Sequence, residues 1–255
     1  MGSEMCIRDR GDRVIGSTML VGGFQEKVLV RASATRKLSE KMGFAEATGL
    51  LYAYGTGYYG LKTRGALAPG ETLLVLGAAG NVGLAAVELG KLMGARVIAA
   101  ASSEEKLAVC RDRGADETID YSREDLKTRA KELTDGQGVD VIYDCIGGDF
   151  AEAALRAIAW EGRFLVIGFT AGIPQLPLNL TLLKGCQVIG VFYGAMVQRQ
   201  PELRDEISAA LYQLADEGKL HPHVSARYSL AEAPQALRAL LDRKVTGKVV
   251  IECNR

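Results

Sequence analysis

Proline is scarce in this chain of 255 residues, with six prolines against thirty glycines. A proline-rich linker protein is a poor reading of that balance, and an α/β fold with tight glycine turns suits it better. Cysteine is sparse and scattered: Cys6, Cys110, Cys145, Cys186 and Cys253 are odd in number and form no C-x-x-C pair. Such spacing fits neither a disulfide framework nor a structural zinc lobe, and suggests a reducing compartment. The two histidines, His221 and His223, flank Pro222 with no cysteine nearby. They read as surface residues of a turn, not as metal ligands. Neither sign of charge is in excess, since Lys+Arg and Asp+Glu both number 31. No global field is available to gather nucleic acid or anionic lipid. A long hydrophobic run is also missing. The longest, residues 73–87, is broken by Gly77, Gly80, Asn81 and Gly83, and a bilayer span needs about 20 apolar residues. The start of the chain has no apolar signal-peptide core. There is no G-x-S-x-G nucleophile elbow, for Gly16-Ser17-Thr18 does not fit one. Asp205, Glu206 and the other helix carboxylates read as a solvated face.

What is present is ordinary globular composition, 48% hydrophobic and 24% charged. Residues 1–10 (MGSEMCIRDR) carry no helical or strand periodicity and read as a non-native leader or a disordered terminus. Residues 12–15 and 24–30 read as short strands around a Gly22-Gly23 turn. Residues 39–64 read as helical, with Ala45, Ala47, Leu50, Leu51 and Tyr54 on one face. After the Pro69-Gly70 break, apolar strands are expected at 72–78, 95–101, 117–120, 139–145, 163–169 and 187–192. Helices are expected between them at 82–93, 104–113, 125–133 and 150–159. Short apolar runs alternating with helices imply a parallel sheet covered on both faces. The fold class is therefore α/β, a doubly wound six-stranded parallel sheet of the Rossmann type. The remainder reads as a helix at 201–217, a turn at 221–223, a strand at 225–230, a helix within 230–243 and a strand at 248–253. This tail is expected to pack with residues 11–45 as a second, smaller body.

The strongest chemical signal is Gly77-Ala78-Ala79-Gly80-Asn81-Val82-Gly83, which follows a strand and opens a helix. Small residues let the backbone approach a pyrophosphate, while a helix N-terminus offers free N–H groups and partial positive charge. Ala79 stands where the usual fingerprint has its middle glycine. Gly83 permits close helix–strand contact. The second strand ends in small neutral residues, Ala99-Ala100-Ala101-Ser102-Ser103, where an NAD-preferring site usually has Asp or Glu. Lys106, one turn into the next helix, can reach toward a 2′-phosphate, which favours NADPH. Alternatively, Lys106 is a solvated lysine paired with Glu104 or Glu105, whose charge would weaken phosphate binding.

With these residues in view, the chain resembles the zinc-independent quinone oxidoreductases of the medium-chain dehydrogenase/reductase superfamily. The segments that carry the resemblance are GDRV from Gly11, GTGYYGL from Gly55 and PGETLLVLGAAGNVGLAAVELGK from Pro69. Residues 102–121, DCIGG from Asp144, GRFLVIG from Gly162 and GKVVI from Gly247 complete it. The family normally has glycine where Asn81 stands, and asparagine is expected there as a tolerated residue at positive φ. The resemblance implies that Ser102, Lys106 and Tyr121 surround the adenosine 2′-phosphate of NADPH. It implies that Ala79, Gly80, Asn81, Val82 and Gly83 line the pyrophosphate. It also implies that Thr56, Cys145, Ile146, Gly168, Phe169 and Phe192 border the nicotinamide half. Tyr193 is a candidate for hydrogen bonding near the acceptor, and no general acid is assigned.

The resemblance further implies a division into residues 11–45 and 196–255, parts of an incomplete, mostly β (GroES-like) domain, and residues 46–195, the NADPH-binding domain. About 70–80 residues are expected to be missing before Gly11, leaving apolar surface uncovered on 14–30 and 225–253. The implied activity is zinc-independent hydride transfer from NADPH to a quinone or another activated enone, in the cytoplasm. Reduction of an enoyl thioester and a non-catalytic NADPH-binding fragment are the alternatives. A homodimer joined near the sixth strand is implied, with no nucleic-acid or membrane partner.

Overall fold

A computed structural model of the chain describes residues 10–18 and 22–253. The leader other than Arg10 lies outside these residues, as does Cys6. In chain order the strands are β1 Val14–Gly16, β2 Thr35–Lys37, β3 Thr72–Leu76, β4 Arg96–Ala101 and β5 Glu117–Asp120. They continue with β6 Val139–Asp144, β7 Ile158–Val166, β8 Gln187–Gly190, β9 Val224–Ser229 and β10 Lys248–Glu252. Six form one sheet in the order β5-β4-β3-β6-β7-β8, with every neighbouring pair parallel. The chain winds outward from β3 through β4 to β5, then crosses back to β6 and winds the other way. The point of reversal lies between β3 and β6, where open α/β sheets bind ligands beyond the strand ends.

The pleat divides the core into two. Leu73, Val75, Val97, Ala99, Val141, Tyr143 and Leu165 face one way and pack on the helical stretch from Phe44 and on the helix Asn81–Leu92. Leu74, Leu76, Ile98, Ala100, Ile119, Ile142 and Phe164 face the other way, onto helices Leu126–Glu132 and Asp149–Arg156. Alternation within fully buried strands is the period of two expected of a sheet covered on both faces. A bidentate ion pair, Arg163 to Glu71 at 2.9 and 2.6 Å, closes the end of this sheet opposite the strand C-termini, and Arg163 Nε also donates to the Gly65 carbonyl at 2.9 Å.

Several local expectations are corrected. The helix expected over 39–64 begins at Phe44 and alternates between α turns and wider π turns through Arg64. Its glycines let bulky neighbours press into it. A Cβ on Gly57 would stand 2.9 Å from Leu89 Cδ1, and one on Gly60 would stand 2.9 Å from Tyr143 Cε2. Residues 24–30 form no strand. Instead β1 pairs antiparallel with β2, and Phe24, Val28 and Leu29 are exposed. The helix expected to reach 159 ends at Arg156, because Ile158 already pairs with Val139 as the first residue of β7. The strand expected over 163–169 stops at Val166, and that over 187–192 stops at Gly190. Two further helices, Asn179–Lys184 and Tyr193–Arg199, have no counterpart among the expected elements.

The expected surface turn at 221–223 is only half right. His221 is exposed, but Pro222 is buried and His223 half-buried. His223 lies 3.0 Å from Thr246 Oγ1 and 3.5 Å from the Arg113 guanidinium. Burial and that neighbouring positive charge push its pKa below the usual range, with Asp112 opposing them. The backbone of His221 is bound on both sides. Its N–H donates to Glu88 at 2.9 Å and its carbonyl accepts from Arg113 at 2.6 Å. Glu88, buried in the helix Asn81–Leu92, also accepts from the Tyr54 hydroxyl. This polar network ties the tail to the sheet's helices. β9 and β10 form a separate two-stranded parallel sheet.

Candidate functional site

The glycine loop lies where its sequence context required, between β3 and the helix Asn81–Leu92. Each glycine has a different job. Gly77 has φ +67, and a Cβ there would stand 2.6 Å from Ile146 Cγ2, so only glycine suits both the backbone and the neighbouring loop. A Cβ on Gly83 would stand 2.8 Å from Ala78 Cα and collide with the Gly77 carbonyl. This glycine lets the helix start directly beneath the strand end. Gly80 is not required by the protein's own packing: its φ is −74, and the nearest atom to an added Cβ is the Gly77 oxygen at 3.4 Å. It is the N-cap residue, with no side chain capping the helix. The first intrahelical bond is Leu84 N–H to the Gly80 carbonyl at 2.8 Å. The N–H groups of Asn81, Val82 and Gly83 thus sit in the first turn, where a helix has no acceptors of its own to offer. Asn81 corrects one expectation. It is the first helical residue and is absent from the positive-φ positions, so it occupies an ordinary backbone conformation and needs no glycine-like tolerance. Ala79 is buried, and its carbonyl accepts from Gly247 N–H at 2.8 Å.

At the end of β4 the structure brings Ser102, Lys106 and Tyr121 together. Lys106 Nζ donates to Ser102 Oγ at 3.0 Å, not to a glutamate. Glu104 is held instead by Arg111. Ser103 caps the helix Glu104–Asp112 by accepting from Lys106 N–H. The Tyr121 ring packs against Phe150 with centroids 4.5 Å apart. Burial raises the Tyr121 pKa, while its hydrogen bond with Ser102 and the nearby Arg243 guanidinium pull it down. Arg243 was not singled out by sequence reasoning. It lies in the turn before β10, has φ +55, and its guanidinium donates to the Thr170 carbonyl at 2.7 Å. Tail and sheet thus meet across the strand ends. The only local hint was a charged turn, and no spacing rule connects residue 243 to residue 121.

On the other side of the reversal, the loops after β6 and β7 are locked together. Asp144, 1% exposed, accepts from the N–H groups of Ile146 and Gly147, both at 2.9 Å. Burial raises its pKa, opposed by these two donors. The Ile146 carbonyl accepts from Ala171 N–H at 2.7 Å. A Cβ on Gly168 would stand 3.1 Å from the Cys145 oxygen. Cys145 is a free thiol whose pKa burial pushes well above the usual range. Phe169 is half-exposed beside this pair. Asp144 is a second residue that sequence reasoning passed over, although its place at the end of an apolar strand could have marked it.

The remaining residues are more dispersed. Thr56 is buried and donates to the Tyr52 carbonyl at 2.7 Å. Phe192 is exposed, whereas Tyr193 is buried against Gly55 and 6.3 Å, ring to ring, from Tyr59. Burial raises the Tyr193 pKa, with Arg204 opposing it. Among the described residues, no three or more His, Cys, Asp or Glu side chains are arranged to hold a metal ion.

The family model described as "zinc-binding dehydrogenase" matches residues 81–212. The chain is 41% identical over 254 residues to the quinone oxidoreductase-like protein 2 homolog of Nematostella vectensis, covering 98% of this chain and 69% of that protein. A probable oxidoreductase from Mycobacterium abscessus has a similar structure, with TM-score 0.88 and 35% identity over 99% of this chain and 76% of that one. The quinone oxidoreductase of Escherichia coli, solved in complex with NADPH, has TM-score 0.87 and 28% identity, covering 98% and 78%.

Proposed function

Since the chain belongs to the quinone oxidoreductase family of the medium-chain dehydrogenase/reductase superfamily, we propose that it is an NADPH-dependent reductase of quinones or other activated enones. The observation that carries the cofactor choice is the convergence of Ser102, Lys106 and Tyr121 at the end of β4. A hydroxyl, an ammonium and a phenol around one point suit a 2′-phosphate, and Arg243 adds a second positive charge. The glycine loop fits the rest of the dinucleotide. At Gly80 a Cβ would fill space that the protein's own atoms leave open, and the uncapped N–H groups of Asn81, Val82 and Gly83 suit a pyrophosphate. Ala79 holds the loop against the tail through Gly247.

When bound, NADPH supplies the hydride, and the protein supplies orientation and a dry surface. Cys145, Ile146, Gly168 and Phe169 form the wall beyond β6 and β7, shaped by Asp144, and are assigned to the nicotinamide half. Thr56 and Phe192 border it from the helical stretch and the end of β8. Tyr193, already buried, serves to position these neighbours and is the candidate donor to the acceptor oxygen. Solvent can protonate a reduced quinone, so no side chain is assigned as general acid. The chemistry is read as zinc-independent, in keeping with the family resemblance.

Residues 46–195 are assigned as the cofactor domain, with 11–45 and 196–255 as parts of a second, mostly β body. A homodimer joined at the edge strand β8 is proposed, supported by the exposed Val188 there and by the exposed Leu182 and Leu183 nearby. The four described cysteines are free thiols, which supports a cytoplasmic setting. Among the described residues no helix is long and apolar enough to cross a membrane.

The test is a binding titration and a turnover assay on the same preparation. NADPH binding with oxidation by 1,4-benzoquinone is the expected result. Oxidation by crotonyl thioester but not by quinone would replace the substrate class, and binding without turnover of either would refute the enzyme reading.

A further inference from the structure

We infer that His223 is a pH-sensitive latch between the tail and the glycine loop: the neutral imidazole holds the tail against Ala79 and Gly80, and protonation releases it. The contact it holds is narrow. Gly247 N–H donates to the Ala79 carbonyl at 2.8 Å, and Gly247 pairs with Gly80 in an isolated parallel bridge. His223 backs this contact with both its backbone and its ring. Its carbonyl accepts from Lys248 N–H at 2.8 Å. A Cβ on Gly247, which is buried and has φ +55, would stand 2.6 Å from His223 Cδ2. Only glycine suits that backbone and that space, so a shift of the ring is felt directly at the seam.

The two ring nitrogens face different partners. Arg113 Nη2 lies 3.5 Å from Nδ1, and Thr246 Oγ1 lies 3.0 Å from Nε2. A guanidinium only donates hydrogen bonds. Nδ1 is therefore the acceptor, and the ring hydrogen is on Nε2, donated to the Thr246 hydroxyl. Protonation adds a hydrogen at Nδ1, setting donor against donor and cation against cation. Arg113 is poorly placed to retreat, because its Nη1 donates to the His221 carbonyl at 2.6 Å. The other titratable and charged groups close to this pair come from four directions. Asp112 is next to Arg113 in the chain, and His221 is on the same turn as the ring. Glu88 accepts from His221 N–H and from the Tyr54 hydroxyl. Lys41 and Glu46 line the groove that Arg113 and His221 share, and Lys248 follows the seam. Asp112 favours the charged ring, but burial and Arg113 outweigh it and hold the pKa below 6.5. Once the seam opens, water restores the ordinary value. The latch is therefore closed above about pH 6.5 and is lost progressively as pH falls through the lower value of the closed state.

The latch joins two parts of one chain, so its test needs no ligand and stands apart from the cofactor reading. Amide hydrogen exchange at Gly247 and Lys248, corrected for the intrinsic effect of pH, is measured from pH 8 to pH 5 together with the imidazole resonances. The chain has two histidines, and His221→Gln assigns their signals. Protection of both amides should fall on acidification, by about tenfold for each unit that closure holds the ring below its open value. The fall should begin near pH 6.5 and stop once the His223 resonance has titrated. His221→Gln should keep this loss. His223→Gln, whose amide still accepts and donates but does not titrate, should hold protection constant to within about twofold. A loss of less than about twofold in the unmodified chain, a loss abolished by His221→Gln, or a loss that persists in His223→Gln would overturn the inference. Should His223→Gln not fold, the ring's own titration in the unmodified chain decides: a midpoint below 6.5 upholds the latch, and one at or above 6.5 overturns it.

Discussion

Gly80 and Gly83 stand three residues apart in one loop, yet their replacement should fail in opposite ways. At Gly83 an added Cβ meets backbone, Ala78 Cα at 2.8 Å and the Gly77 carbonyl closer still, and backbone cannot rotate aside. Gly83→Ala forces the helix off the strand end, an overpacking cost of about 1–3 kcal/mol. For a chain of this size that lowers Tm by roughly 2–12 °C, taking about 2–4 °C per kcal/mol. At Gly80 the backbone is extended, φ −74 and ψ 166, and a Cβ meets only the Gly77 oxygen at 3.4 Å. The lost N-cap preference, about 0.5–1 kcal/mol, is opposed by the reduced freedom of the unfolded chain, about 0.4–1 kcal/mol. Gly80→Ala should therefore leave Tm within about 4 °C of the original. The open space at Gly80 is where the pyrophosphate is proposed to lie, so Gly80→Val should lower NADPH affinity by at least about 100-fold, some 2.7 kcal/mol. Thermal melts and fluorescence titrations of the three variants decide the matter. Undiminished NADPH binding by Gly80→Val would refute the placement of the cofactor. A melt of Gly80→Ala as low as that of Gly83→Ala would refute the division of roles.

Two further outcomes are expected. Lys106→Ala removes the ammonium beside Ser102 and should weaken NADPH by about 1.5–3 kcal/mol while sparing NADH; equal loss of both in titrations would argue against a 2′-phosphate role. Glu71 is partly buried, which raises its pKa, but its bonds to Arg163 and to Ala68 N–H outweigh this and leave it below 4.5. Its contribution is therefore fully present above about pH 4.5 and lost as pH falls through the lower folded value. Glu71→Gln should lower Tm at pH 7, and the gap from the original should shrink as melts are repeated down to pH 3; a gap that stays constant would sink the assignment.

The chain's own pattern determined the six sheet strands from residue 72 onward and the helices between the first five of them, though not the helices Asn179–Lys184 and Tyr193–Arg199. Runs such as TLLVL and RVIAAA are short, apolar and closed by glycine or serine, so burial on both faces was the only way to satisfy them. The glycine loop was legible for the same reason, since its chemistry lies within seven consecutive residues. Ser102 and Lys106, grouped by the family resemblance, lie four residues apart and meet at 3.0 Å. Tertiary structure alone decided the rest. Leu89 and Tyr143 lie so close to Gly57 and Gly60 that a Cβ at either glycine would crowd them, contacts between residues far apart in sequence. Asn81 was expected at positive φ, but the helix starts one residue earlier than its apolar pattern suggests and takes Asn81 into an ordinary turn. His223 left the surface because Arg113 and Thr246 close over it from two other elements. Arg243 comes to Tyr121 and Thr170 only because the tail folds back onto the glycine loop through Gly247. Local patterns encode what a segment buries. Which distant charges end up beside it depends on how the buried faces stack.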